Sequence, residues 1–266
     1  MKRNSLNQLA RDPRFIPGIY NYCDRWCQRC PLSNRCLNYA MEKEEDDGDP
    51  EARDLTNKKF WKKLEHTLGD TIEMIREDAK EMGVDLDDPD LQAELEAEER
   101  LERRRAAKNR PVARAAMAYV KAVDKWFEKA EPAFHAKGIE LETLARIEVG
   151  DPRGEFAELS EFVDVIRWYQ HFIYVKLSRA IGSRASEELE TDEELKAFPK
   201  NSEGSAKIAL IAMDRSIAGW SGLRTALGPD DADGILDLLA QLAAIRRETE
   251  KLFPKARAFK RPGFDT

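Results

Sequence analysis

Residues 155–181 have the sequence EFAELSEFVDVIRWYQHFIYVKLSRAI, in which apolar side chains return every three or four positions. This spacing follows the 3.6-residue turn of an α-helix and predicts a long helix with one buried face. The members of that face are Phe156, Leu159, Phe162, Val163, Ile166, Tyr169, Ile173 and Leu177. Because such a face has to be covered by other elements, the stretch indicates a core built from packed helices.

Helical patterns extend over most of the remaining chain. The spacing predicts further helices over 56–83, 90–110, 111–137, 201–227 and 229–254, whereas no stretch alternates as a strand would. The composition agrees, because 36% of the 266 residues are charged and only 14 are glycine. We therefore expect an all-α protein, a bundle of five or six long helices preceded by an irregular, cysteine-rich metal-binding segment.

Shifts in composition divide the chain into four parts. We expect a cysteine-rich metal-binding segment over 1–41 and an acidic linker over 42–55, which contains the run EKEEDDGDPE at 42–51. The helical bundle is expected over 56–254, and a C-terminal tail, extended or disordered, over 255–266. No repeat with a solenoid period is present.

All four cysteines lie within the segment YCDRWCQRCPLSNRCLNY at 22–39, with the spacing C-x3-C-x2-C-x5-C. Thiolate is the preferred ligand of zinc and of iron–sulfur clusters. Tetrahedral zinc and a [4Fe–4S] cluster both take four such donors. The spacing thus predicts a metal site whose ligands are Cys23, Cys27, Cys30 and Cys36. We expect a [4Fe–4S] cluster there, with zinc as the alternative.

The charge distribution sets this segment apart from the rest of the chain. The formal net charge is -7, yet residues 1–40 carry +5 and the remainder -12. Arginines near four thiolates would offset their negative charge, although the same side chains could simply be solvated. An acidic chain is a poor partner for nucleic acid or an anionic membrane. With no secretory or membrane-spanning pattern, we expect a cytoplasmic protein, where clustered thiols stay reduced.

Part of the cysteine segment resembles known cluster-binding runs. The motif C-x2-C-P-x4-C at 27–36 is similar to the C-x2-C-x5-C run of RecB-type and CRISPR-associated nucleases and to part of the SPASM region of radical enzymes. Those runs hold [4Fe–4S] clusters, so the resemblance implies iron–sulfur chemistry without implying nuclease activity. The spacing at 23–30 also resembles the radical S-adenosylmethionine motif, but Cys36 would fill the iron that this family leaves open. The whole chain resembles uncharacterised bacterial helical proteins with a four-cysteine N-terminal segment.

A second candidate site lies in the predicted bundle. Asp164 and His171 share one stripe of the helix over 155–181, and Asp214 lies on a neighbouring predicted helix. A carboxylate–histidine cluster between helices could bind metal, but di-iron bundles need paired Glu-x-x-His motifs, which the sequence lacks. The favoured interpretation of these three residues is an interhelical polar network.

Three functional hypotheses remain open at this stage. The first is a [4Fe–4S] protein in a redox or structural role, for which a protein or redox partner would be expected. The second is a zinc-stapled helical protein-interaction module. The third is a helical-bundle enzyme that uses the carboxylate and histidine site, so whether the protein is an enzyme is left undecided.

Overall fold

The computed structural model describes residues 12–45, 48–107, 109–193, 200–228 and 234–265, which contain helices and turns but no strand. The expected all-α fold is confirmed for these residues. They form the helices α1 Leu37–Glu45, α2 Lys58–Glu81, α3 Pro89–Ala107, α4 Arg110–Arg146, α5 Pro152–Leu189, α6 Asn201–Leu227 and α7 Ile235–Leu252. The chain divides into two compact units, a first unit of Met1–Leu101 with Pro262–Thr266 and a second unit of Glu102–Arg261.

The second unit is built around a four-helix bundle. Helix α5 packs most extensively against α6 and also against α4, while α7 packs against both α4 and α6. Each of the four helices therefore has two neighbours around a shared core. The largest fully buried side chains of that core include Tyr119, Ile166, Tyr169, Ile173, Leu177, Ile208, Leu210, Met213, Trp220 and Leu223. Of the apolar face predicted over 155–181, Phe156 is 59% exposed, Phe162 and Val163 are half-buried, and the other members are buried.

Two bundle helices are longer than the sequence pattern predicts. Helix α5 runs to Leu189 instead of residue 181, because Ala185 continues the buried face while polar neighbours remain at the surface. Helix α4 runs through Pro132 to Arg146 instead of ending near residue 137. Its last turn is stabilised by an Arg146–Glu142 ion pair of 2.7 Å. Helix α7 begins at Ile235, and residues 229–233, where its start was expected, lie outside the described ranges.

The first unit differs from the expected division of the chain. It includes α2 and most of α3, so the boundary between the units falls after Leu101 and not near residue 55. The N-cap of α2 is Asn57, whose side chain accepts a hydrogen bond from the Lys59 amide at 3.0 Å. The stretch expected as a linker contains the end of α1 and a 3₁₀ turn at Pro50–Arg53, while residues 46–47 lie outside the described ranges.

A helix that crosses a lipid bilayer has to be both long and apolar. Within the described ranges, no helix is both long enough and apolar enough to cross a membrane.

A buried hydrogen bond joins α4 to α6 inside the bundle. The Trp220 indole Nε1–H donates to the Tyr119 hydroxyl at 2.8 Å, and both side chains are fully buried. Burial raises the pKa of Tyr119 well above its ordinary value, so the hydroxyl stays protonated. An N–H group buried here without an acceptor would carry the full cost of its desolvation.

We predict that Tyr119→Phe lowers the free energy of unfolding by about 1–3 kcal/mol, because it leaves the Trp220 indole N–H without its acceptor. Tyr174→Phe, at a half-buried position of α5, is the control and should change the free energy by less than about 0.5 kcal/mol. Urea denaturation followed by circular dichroism measures both. Equal effects of the two substitutions would contradict the assigned role of the Trp220–Tyr119 bond.

Candidate metal centre

The cysteine segment folds as a series of short turns. Three 3₁₀ turns, Ile19–Asn21, Cys27–Arg29 and Ser33–Arg35, precede α1. Gly18, at φ 71°, starts the first turn, and Arg25, between the first two cysteines, has a left-handed backbone at φ 60°. A hydrogen bond of 3.0 Å from the Ile16 amide to the Arg35 carbonyl joins the two ends of the segment. This backbone path brings side chains that are distant along the segment to one place.

Each cysteine lies at the edge of one of these turns. Cys23 follows the first turn, and its thiol donates to the Tyr20 carbonyl at 3.6 Å. Cys27 opens the second turn and Cys30 closes it in extended backbone. Cys36 closes the third turn, also in extended backbone, immediately before α1. The unequal spacing in the sequence therefore corresponds to successive turns of the chain.

All four cysteine side chains line a single small cavity with an almost wholly apolar surface. Each is a free thiol and is partly buried. The remaining wall is formed by Ile19, Tyr20, Asp24, Arg25, Trp26, Ser33, Tyr39 and Phe264. The structure thus brings together the four residues that the sequence singled out.

The structure does not support the prediction that the cysteine segment is a metal-binding segment. Within the described ranges, no three or more His, Cys, Asp or Glu side chains are arranged so that they could hold a metal ion. The four cysteines line one cavity but do not form such a group.

The electrostatics of the cavity oppose ionisation of an isolated thiol. Burial raises the pKa of Cys27, and the negative charges of Glu42 and of the other three cysteines raise it further. Four thiolates in this cavity would repel one another unless a cation lay among them.

Trp26 is held beside the cavity by two polar contacts. Its backbone N–H donates to the Asp24 carboxylate at 3.2 Å. The Arg29 guanidinium lies over its ring, 3.7 Å from the ring centroid. The arginine thus fixes the orientation of an aromatic side chain that forms part of the cavity wall.

The C-terminal end of the chain completes the site, which sequence analysis missed. Phe264 lines the cavity, and Gly263 lies against Ile16 and Ile19 at φ +76°. A Cβ atom at Gly263 would stand 2.8 Å from Cδ1 of Ile16. Pro262-Gly263 is a turn signal followed by an aromatic residue, which could have indicated that this tail packs against another part of the protein.

The second candidate site does not form a metal-ligating cluster among the described residues. Asp164 and His171 are at exposed positions of α5. Asp214 instead forms ion pairs with Arg246 at 3.1 Å and Arg257 at 2.5 Å. Asp214 therefore belongs to an ion-pair network with arginines from α7 and the segment that follows it, which is a different set of residues from the expected cluster of Asp164, His171 and Asp214.

The polar groups that do join α4 to α5 were not singled out in the sequence. Gln170 is buried, and its side-chain amide donates to the Val120 carbonyl at 3.1 Å and to the Asp124 carboxylate at 2.7 Å. Arg167 donates to the same carboxylate at 2.9 Å. These contacts satisfy the hydrogen-bonding groups of a structural network.

In comparisons with known proteins, no family model matches the chain, and neither a curated protein nor a solved structure matches it.

We predict that Gly263→Ala displaces the C-terminal tail from the cysteine cavity, because the new Cβ meets Ile16 and the backbone is left-handed. In protein stripped of metal, the four cysteines should then react with iodoacetamide at least about threefold faster, in proportion to their greater access to solvent. Gly69→Ala is the control, since nothing lies within 4 Å of a Cβ there. Equal alkylation rates in wild type and Gly263→Ala would contradict the tail's role in covering the cavity.

We predict that Asp214→Asn lowers the free energy of unfolding by about 0.5–1 kcal/mol at neutral pH, as for a partly exposed charge network. Burial alone would raise the pKa of Asp214, but hydrogen bonds from Arg257 and Arg246 outweigh it and hold the pKa below its ordinary value. The stabilisation is therefore present above that ordinary value and lost as the pH falls through the lowered pKa.

Urea denaturation of both proteins at a series of pH values measures this difference. Glu128→Gln, at an exposed position of α4, serves as the control for loss of one carboxylate. A difference between wild type and Asp214→Asn that persists undiminished in acid would rule out the ion pairs as its cause.

Proposed function

We propose that the protein holds a [4Fe–4S] cluster through Cys23, Cys27, Cys30 and Cys36 and uses it in a redox or structural role. The observation that carries the proposal is the arrangement of all four thiols around one apolar cavity. These are all the cysteines of the chain, and they come from four different turn edges. Packing of a hydrophobic core alone would not require all four cysteines to lie around one cavity.

The chemistry of the donor set fits a cluster. A mononuclear zinc site needs four sulfur atoms, each about 2.3 Å from one ion. A cuboidal cluster instead takes one thiolate at each of its iron corners, so its ligands are distributed around the group. Four cysteines around one cavity supply one thiolate for each iron corner.

The surrounding residues would protect and tune such a group. Trp26 and Phe264 supply apolar wall, which limits the access of water to the sulfur atoms. The Arg25 side chain at the cavity and Arg29 over Trp26 place positive charge near an anionic thiolate set. Bound there, the group would supply one-electron transfer, and four protein ligands would leave no iron open to substrate.

We expect the folding of the cysteine segment to depend on the bound metal. Between Asp12 and Cys36 it contains 3₁₀ turns of three residues each and no longer element. Such turns have little stability of their own, so the free energy of metal binding would appear as folding free energy. We place the protein in the cytoplasm, where thiols are kept reduced, with a protein redox partner if the role is electron transfer.

The test is metal and sulfide analysis of full-length protein purified without oxygen. We expect about four iron and four acid-labile sulfide per chain, with broad visible absorption that bleaches on reduction. Cys27→Ser should lose most of the iron, because one corner ligand is removed. Ser33→Ala is the matched control, since Ser33 lines the same cavity but is not a proposed ligand, and it should keep the iron.

Two outcomes would overturn the proposal. One zinc per chain without sulfide would support the zinc-stapled interaction module instead. Protein that binds neither metal under these conditions, while retaining its helical circular dichroism spectrum, would exclude both assignments.

A further inference from the structure

Helix α2, Lys58–Glu81, carries an apolar stripe that faces solvent. Trp61, Leu68, Ile72 and Ile75 are 52–56% exposed and Leu64 is 37% exposed. Their spacing of three or four residues places them on one side of a helix about 36 Å long. An apolar stripe of this length at the surface indicates a site of association.

The charge of α2 changes sign along its length. Residues 58–69 carry four lysines and one acidic side chain, a net charge of +3, whereas residues 71–81 carry four acidic and two basic side chains, a net charge of -2. Lys59 is already paired with Asp49 and Glu51, at 3.0 and 2.7 Å. Even without Lys59, the first half keeps a net charge of +2 against -2 in the second half.

We propose that the stripe on α2 is a dimer interface in which two copies of this chain pair their α2 helices antiparallel. A two-fold axis across the middle of the stripe places the basic half of each helix against the acidic half of the other. A parallel pair would instead place like charges together along the whole length. An anionic membrane surface would attract the lysine half and repel the acidic half, so it fits the charge pattern less well.

One charged pair makes the proposed orientation specific. Glu65 and Arg76 are eleven residues apart, which is three helical turns and about 20°, so both flank the same side of the stripe. In an antiparallel pair centred near residue 70, Glu65 of each subunit would lie opposite Arg76 of the partner subunit. In a parallel pair, the two copies of this flank would lie on opposite sides of the interface, so Glu65 and Arg76 would not meet across it.

The first experiment is sedimentation velocity of the full-length protein from about 1 to 100 µM, a range that resolves interfaces of modest size. We expect a species of twice the 30.5 kDa chain mass. Leu68→Glu should weaken dimerisation at least tenfold, because it buries a charge in the apolar stripe. Val175→Glu is the control, at a 56% exposed position of α5, and should leave the dimer intact.

The second experiment exchanges the charges of the proposed pair. Glu65→Arg and Arg76→Glu should each weaken dimerisation at least threefold by creating like-charge contacts, and the double variant should restore it to within twofold of wild type. Circular dichroism checks that each variant is folded. A monomer at all concentrations, a dimer that Leu68→Glu does not affect, or a double variant weaker than either single variant would each overturn the proposal. The result does not depend on whether the cysteines bind a metal.

Discussion

Four thiols are brought to one small cavity by a segment that has almost no regular structure of its own. The turns that place them are anchored by the buried side chain of Ile19 and by the hydrogen bond between Ile16 and Arg35. Residues 263–264 then close the cavity, because Gly263 packs closely against Ile16 and Ile19 with a left-handed backbone and Phe264 forms part of the wall. The proposed cofactor would therefore stabilise a site to which both chain termini contribute.

The four-helix bundle has a different physical basis. Its stability comes from apolar side chains buried between α4, α5, α6 and α7, with a few polar groups that are satisfied inside it. None of the cysteines belongs to this second unit. Loss of the proposed metal would thus affect the first unit and leave the core of the bundle in place, so the proposed site and most of the folding free energy belong to different units.

Sequence periodicity predicted the helical fold well because it depends on local spacing. The helix over 155–181 and the bounds of α6 follow directly from the pattern, whereas the helix ends expected near residues 137 and 181 do not occur. Tertiary packing decides such cases, since a helix continues where a residue such as Ala185 still contributes to the core. The same periodicity predicted the helix over 56–83, but spacing alone cannot show that the apolar stripe of α2 is exposed.

The candidate site could be predicted in part. Clustering in the sequence identified the four cysteines, because short spacings bring side chains together whatever the remaining fold. The contribution of Phe264 depends on a contact between residues more than 200 positions apart, which no local pattern encodes. Asp214 was identified as part of an interhelical network, but its arginine partners on α7 and beyond depended on the packing of the helices.

X-ray absorption spectroscopy of anaerobically purified protein examines the environment of the four sulfur atoms most directly. If the cavity holds a cuboidal cluster, the iron edge will show sulfur neighbours together with a short iron–iron distance. A zinc edge with four sulfur neighbours at about 2.3 Å and no metal–metal distance would contradict it.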